Sequence, residues 1–499
     1  MENGWDRLKD KLREINDLSS ASSLLEWDQA ALMPPNGAES RARAVGTLAR
    51  LCHQRLIDPE LGDLLEQLVD DPDLDELQKA SVRVLKRNRD KATKVPNDLV
   101  TALKETEMRS YRAWTDAKPR SDFELFRPFL TDTIRLKKEQ ADALGYENER
   151  YDACLDNFEP GMTARAVESL FVDLTAELQP LAAAILDAAG TKPEFLSARY
   201  ERAKQIAVCN ELVDKIGFDR DGGRLDFSPH PFSIFIAHGD VRQTFKVEEH
   251  DLMMSIYAVI HESGHATYDQ GFPEEMAGLP VAEAPSMGMH ESQSRLWENH
   301  VGRSRAFTEY LLPKLKDVFG KELGSTDPSE FYRGVNHPHR SLVRIKADEV
   351  TYNLHIALRF ELELALFRDE LEVADLPDAW DAAMEKHLGI RPEDHSQGVL
   401  QDMHWADGYF GYFPTYTLGT LYAAAFYEKM LADIGPVDDQ LRAGDCSGVL
   451  GWLRTNIHSQ GYLYSAKDLA RRVLGTDVSA APFLEHIRSK YGEIYSLSI

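Results

Sequence analysis

Met254-Ser255-Ile256-Tyr257-Ala258-Val259-Ile260-His261-Glu262-Ser263-Gly264-His265 is the stretch on which the rest of the chain turns. Met254, Tyr257, Ala258, Val259 and Ile260 make a helix here apolar on most sides, so it reads as buried. Two histidines four residues apart project from one helix face, one turn apart, and both imidazoles can reach a single ion at roughly 2.0–2.1 Å. Glu262 then points to the side of that ion. It cannot easily ligate beside both histidines, but it can accept a proton from a water held there. HExxH also arises by chance on solvated helices. In an apolar setting, however, unligated histidines would need other partners, and the pattern therefore predicts a zinc site carrying its own base.

A catalytic zinc usually takes a third protein ligand and leaves a fourth position for water. After Tyr268, the run Gly271, Pro273, Gly278, Pro280 and Pro285 ends the helix and lets the chain turn back. Helix-compatible sequence resumes at Ser286, which puts Glu291 of His290-Glu291-Ser292-Gln293 early on a second helix. Glu274, Glu275 and Glu283 remain rivals by reach, but they lie in the connecting loop, where a rigid ligand is harder to hold. Glu291 is the first choice. Because HExxH sites also accept cobalt or manganese, those ions are possible substitutes for zinc.

Outward from this stretch, 499 residues exceed what one compact core normally supports, so two lobes or a large helical body with a cleft are expected. Lys+Arg 57 against Asp+Glu 83 gives −26, which disfavours nucleic acid and anionic membranes and draws in cationic ligands at low salt. Cys52, Cys154, Cys209 and Cys446 have no CxxC spacing and read as core thiols in a reducing compartment. The N-terminus, Glu2-Asn3-Gly4-Trp5-Asp6-Arg7-Leu8-Lys9, lacks a signal-peptide apolar region, and no later stretch is expected to span a bilayer. The expectation is a soluble, cytoplasmic protein with no membrane partner.

Helical periodicity dominates. The first hundred or so residues read as charged amphipathic helices forming a cover or lid, broken at Pro34-Pro35-Asn36-Gly37. Val167, Leu170, Phe171, Leu174, Leu178, Leu181 and Ile185 recur at three and four, between Thr163 as N-cap and Gly190 as stop. Pro180 should kink that run, unless it is two helices. The β signal is Phe232-Ser233-Ile234-Phe235-Ile236 and Thr244-Phe245-Lys246-Val247 around the turn His238-Gly239-Asp240, just before the metal helix. An edge strand there could pair with a substrate backbone, or the hairpin could be purely structural.

Beyond HExxH the chain resembles the carboxypeptidase Taq family of zinc metallocarboxypeptidases. The residues that carry the resemblance come in the family's order: His230-Pro231-Phe232, Asp240-Val241-Arg242-Gln243-Thr244, the HExxH, His290-Glu291-Ser292-Gln293, Val343-Arg344-Ile345-Lys346-Ala347-Asp348, and Gly398-Val399-Leu400-Gln401-Asp402-Met403-His404-Trp405. It extends upstream to Trp27-Asp28-Gln29, Met33-Pro34 and Gly37-Ala38-Glu39, and downstream to Gly411-Tyr412-Phe413-Pro414-Thr415-Tyr416. Ala30-Ala31 departs from the polar residue common in relatives. The resemblance implies an all-α, mainly helical zincin-like metallopeptidase with a deep substrate groove and the zinc at its floor. Over 1–499 it implies one helical unit, with 1–110 as the N-terminal lid or rim and 225–420 as the catalytic core. A homodimer that removes single C-terminal residues with broad specificity is also implied, and Glu291 is supported as third ligand.

An exopeptidase needs a group for the free α-carboxylate, and a guanidinium can hold one bidentately. Arg242 and Arg344 are the candidates, each also readable as a structural partner of Asp240 or Asp348. Tyrosine suits a developing oxyanion because it donates without titrating near neutrality. Tyr416 is chosen over Tyr409 and Tyr412. His230 and His404 are possible substrate contacts or core histidines, and Asp269 a possible acceptor behind the metal ligands. The function expected is removal of the C-terminal residue from peptides with a free C-terminus by zinc-activated water, with Glu262 as base. The alternative is a zinc endo-oligopeptidase of similar helical fold.

Overall fold

The structure, a computed structural model, describes residues 4–498, so Glu2 and Asn3 of the polar N-terminus lie outside the described residues. Helix makes up 68% of it, with one three-stranded sheet, which fits the all-α expectation. The first helices are α1 (Gly4–Ala31), α2 (Ala38–Leu56), α3 (Pro59–Leu68) and α4 (Glu76–Lys94). The expected early break is a tight turn at Pro35–Gly37. Asp58 caps α3 by accepting from the Glu60 N–H, and Asp75 with Gln78 forms a capping box on α4. Leu8 and Leu12 of α1, Leu61 and Leu65 of α3, and Val84 of α4 close on Met276, Leu279 and Tyr462. These N-terminal helices thus dock on the loop that separates the two motif helices.

Next come α5 (Asn97–Ala117), α6 (Phe123–Leu144), α7 (Arg150–Leu155) and α8 (Ala164–Ala188). In α8, Thr163 caps the start and Gly190 adopts a φ of +67° beyond the end. Val167, Phe171, Leu174, Leu178, Leu181 and Ile185 are buried as their spacing requires. The helix runs on through Pro180, so the run is one helix and not two. Pro180 and Ala176 are both exposed, which lets water satisfy the carbonyl that the missing N–H leaves free. By length and composition α8 is the one described helix apolar enough to cross a bilayer, a property the sequence reading assigned to no stretch. Here its apolar face is occupied, with Phe171 stacked on Phe360 at 5.1 Å.

After α9 (Arg202–Ile216) the sheet has the order β1-β3-β2, with β1 Gly223–Phe227, β2 Ser233–Ala237 and β3 Asp240–Phe245. The β2/β3 pair is the expected hairpin, turning at Gly239 with φ +81°. Two details differ from the sequence reading. The second strand starts at Asp240, read as part of the turn, and ends at Phe245 rather than running from Thr244 to Val247, and a third strand, β1, runs parallel to β3 with Arg224 opposite Arg242. Arg224 and Asp226 alternate with Leu225 in β1 and pair with each other, which hid a short strand behind two charges.

The remaining helices are α10 (Leu252–Asp269), α11 (Met287–Arg295), α12 (Arg305–Leu323), α13 (Pro328–Val335), α14 (Tyr352–Phe367), α15 (Leu376–Leu388), α16 (Pro414–Ile434), α17 (Asp438–Arg442), α18 (Ser447–Asn456), α19 (Ala466–Leu474) and α20 (Ala481–Tyr495). One core gathers α9, β3, α10, α12 and α18. A second gathers α6, α8, α14, α15 and α20. Helix α16 lies between them, giving Leu418, Tyr422 and Phe426 to the first and Leu421 and Ala424 to the second. That places α11, which packs on α16, at the seam of the molecule.

Candidate metal centre

Two glycines bring the site together. A Cβ on Gly264 would sit 2.6 Å from Ser294 Cα and 2.8 Å from the Gln293 carbonyl, so α10 and α11 touch backbone to backbone there. A Cβ on Gly419 would sit 2.6 Å from Glu291 Cβ, so α16 presses the Glu291 side chain toward α10. Ser263 Oγ donates to Gln243 Oε1 at 3.1 Å and ties α10 to β3.

As a result, Glu291 Oε2 lies 3.6 Å from His261 Nε2 and 3.4 Å from His265 Nε2. All three ligand atoms fall within 4.8 Å of one another, and no other described residues form such a group. Two ligands bonded at about 2.1 Å to a tetrahedral ion stand about 3.4 Å apart, so the donor set fits a small divalent cation. Glu274 and Glu275, the rivals in the loop, are exposed and stand outside this group, as does Glu283.

The surrounding charges prepare the donors. Burial would raise the Glu291 carboxyl, yet Arg295, with its Nε 2.7 Å from Oε1, and the two histidines hold it well below the usual carboxylate range. Burial lowers His265 to about 3, reinforced by His290, whose ring stacks on it at 4.3 Å, so it stands neutral and ready to ligate. His261 moves the other way: burial opposes its proton, but Glu291 and Glu298 raise it. Its Nδ1 is 3.0 Å from Glu298 Oε2, leaving Nε2 for the ion. Glu298 comes from a π-helical turn, Leu296–Gly302, that continues α11, and Arg303 Nη2 donates to its other oxygen at 3.1 Å.

Glu262 is buried beside this group, and its carboxyl enters no hydrogen bond or ion pair among the described residues. Burial pushes its carboxyl up to about 7, with His261 opposing and Glu291 adding to the rise. A carboxylate with both oxygens uncommitted and an affinity for protons near neutrality is suited to proton transfer.

The other residues singled out in the sequence divide. Arg344 Nη1 donates to Tyr352 Oη at 3.0 Å, and the Arg295 guanidinium lies 4.3 Å over that same Tyr352 ring. One aromatic ring therefore separates Arg344 from the partner of Glu291. The carboxylate that Arg344 pairs with is Asp402 and not Asp348, which instead caps the turn at Val350 and Thr351. Tyr416 lies 5.1 Å under the Arg344 guanidinium with its hydroxyl 3.3 Å from His404 Nε2. Burial lowers His404 to about 3, so it is neutral. Tyr412 packs edge-on against Tyr416 at 5.4 Å, and Tyr409 follows, half exposed.

Arg242 is held bidentately by Asp240 at 2.8 and 2.7 Å and lies 4.5 Å over Trp27 of α1. By strand alternation it faces away from Gln243, the residue that contacts α10. His230 is exposed in the link from β1 to β2, where its carbonyl accepts from Ser228 Oγ. Asp269 accepts from His290 Nε2 at 3.2 Å, one layer out from the metal ligands. Arg295, Glu298, Tyr352, Asp402 and Arg359 were not singled out as site residues. A signal for Glu298 existed in its spacing of seven from Glu291, two helical turns on the same face. A cavity of about 380 Å³, lined by Arg87, Lys91, Lys94, Tyr146 and Asp156, shares no residue with this centre.

The sequence model of the carboxypeptidase Taq (M32) metallopeptidase family matches residues 7–491. Thermostable carboxypeptidase 1 of Thermus thermophilus is 42% identical over 510 residues, covering 99% of both chains. Carboxypeptidase 1 of Bacillus subtilis is 35% identical over 98% of both. The crystal structure of the M32 carboxypeptidase from Deinococcus radiodurans R1 superposes with a TM-score of 0.97 at 38% identity, covering 99% of this chain and 100% of that one. With the HExxH helix, the glutamate on α11 and the whole length matched, this chain belongs to the carboxypeptidase Taq (M32) family of metallopeptidases and is a peptide hydrolase.

Proposed function

We propose that the chain is a zinc carboxypeptidase of broad specificity that removes one residue at a time from the free C-terminus of peptides, with Glu262 as general base. The observation that carries this is the uncommitted Glu262 carboxyl beside the His261, His265 and Glu291 donor set. When bound there, a zinc ion would supply Lewis-acid polarisation of the scissile carbonyl and lower the pKa of a water. Glu262 takes a proton from the attacking water and delivers it to the leaving amine. Tyr416 donates to the developing oxyanion, and burial, which raises its hydroxyl well above the usual range, keeps it a donor. Arg344 receives the terminal carboxylate, with Arg242 a second, more peripheral contact and His404 and His230 as lesser ones. Four unpaired cysteines accord with a reducing, cytoplasmic setting.

A carboxylate held by charge-assisted hydrogen bonds contributes roughly 1.5–3 kcal/mol, about one to two powers of ten in selectivity over an amidated end. Mass spectrometry of one peptide, digested over time as free acid and as amide, is the test. A ladder of single losses from the free acid is expected. Internal fragments appearing first from both forms would make this an endo-oligopeptidase.

A further inference from the structure

Arg344 does not stand alone. Its Nε and Nη2 donate to Asp402 Oδ1 at 3.1 and 2.8 Å. The other oxygen, Oδ2, takes Arg359 Nε at 2.7 Å, and Arg359 Nη1 donates to the His355 carbonyl at 2.7 Å. The Arg359 side chain is fully inaccessible and that of Arg344 is 7% exposed. Two guanidiniums thus share one carboxylate.

We propose that Arg359, which cannot reach a substrate, sets the specificity of this pocket for a free carboxylate by leaving the buried Arg344–Asp402–Arg359 cluster one positive charge in excess. The proposal rests on the reading of Arg344 as the carboxylate anchor. Were Arg344 and Asp402 alone, they would form a neutral pair, and a substrate carboxylate would have to compete with Asp402 for a guanidinium already balanced. With Asp402 divided between two arginines, an arriving carboxylate completes the charge balance instead. Arg344 has donors to offer: three of its N–H bonds are used, by Asp402 and Tyr352, and a guanidinium carries five.

No neighbouring group fully cancels the excess. His355 and His404 are both driven to the neutral form, burial first and the arginines second. Glu363, one turn along α14 from Arg359, spends its oxygens on Tyr151 Oη, Trp405 Nε1 and the Gly411 N–H, at 2.6, 2.7 and 2.9 Å. Burial raises it to about 7, so it is only partly ionised near neutrality. Lys118, which donates to the Gln401 carbonyl at 2.8 Å, adds to the positive potential.

The test is steady-state kinetics on one peptide as free acid and as amide, with product inhibition by an N-acetyl amino acid. It compares the metal-loaded wild type with Arg359→Met, Arg359→Lys and Arg344→Met. Arg359→Met should raise KM for the free acid and the inhibition constant about tenfold, with kcat little changed and the acid-to-amide preference narrowed. Arg359→Lys, which restores charge without the fork, should recover most of the preference. If Arg359→Met does not fold, Arg359→Gln replaces it as the neutral comparison. A wild-type preference in the neutral variant overturns the proposal, as does failure of Lys to rescue, since the role would then be one of shape. If Arg344→Met leaves the preference intact, it is the anchor reading itself that fails.

Discussion

Glu298 Oε2 lies 3.0 Å from Nδ1 of His261, and it reaches that atom from a π-helical turn that continues the helix carrying Glu291. One helical segment thus supplies both the carboxylate of the candidate donor set and the group that orients one of its histidines. Partners that fix a ligating histidine typically contribute 10–100-fold to metal affinity. Glu298→Ala should therefore bind metal about 10–100-fold more weakly, measured by competition with a chelator, while its circular dichroism stays that of the parent. Unchanged metal affinity would remove Glu298 from the centre.

The ligand and the base should separate experimentally. Glu291→Ala is expected to lose stoichiometric metal and activity together, because among the described residues it removes the one carboxylate that groups with both histidines. Glu262→Gln is expected to keep its metal yet lose about two to four powers of ten in kcat, since an amide cannot accept the proton. Metal analysis beside turnover decides both. Wild-type turnover in a metal-loaded Glu262→Gln protein would exclude Glu262 as base.

Gly419 tests whether α16 positions the ligand. An added methyl would stand 2.6 Å from both Cβ and Cγ of Glu291, so that side chain or α16 must shift. Gly419→Ala should cost about 1–3 kcal/mol of stability and lower metal occupancy. A variant with the parent's melting temperature and full occupancy would show that the contact is slack.

Glu159 provides a pH test away from the ligands. Its buried carboxyl accepts from the Gly288 N–H at the start of α11, and burial raises it from 4.5 to about 8. The folded state therefore keeps this proton while the unfolded chain releases it. Stability is greatest below the unfolded value and falls as pH rises from about 4.5 to about 8. Glu159→Gln lacks that titration, so between pH 5 and 8 the parent's melting temperature should fall relative to the variant's. Parallel curves would show that Glu159 is ionised throughout.

What could be read from the sequence was local. Residues four apart on one helix face are neighbours, so that His261 and His265 could reach one ion needed no tertiary knowledge. Of the seven apolar residues in the α8 pattern six are buried, and Leu170 is half-buried. Glu291 could be proposed because the Gly/Pro run ends one helix and Ser286 starts the next. Arg242 and Asp240, two apart on a strand, share a face, and their pairing was foreseeable. The arrangements that give the site its character join residues far apart in the chain. Asp402 reaches Arg344 across 58 positions, and Glu159 caps the α11 start across 129. Parallel pairing of β1 with β3 likewise depends on the chain returning to the sheet. Periodicity and spacing report which face a side chain takes on its own element. Which charges then gather at Glu291 depends on how closely helices approach, and here that approach is permitted by the missing side chains of Gly264 and Gly419.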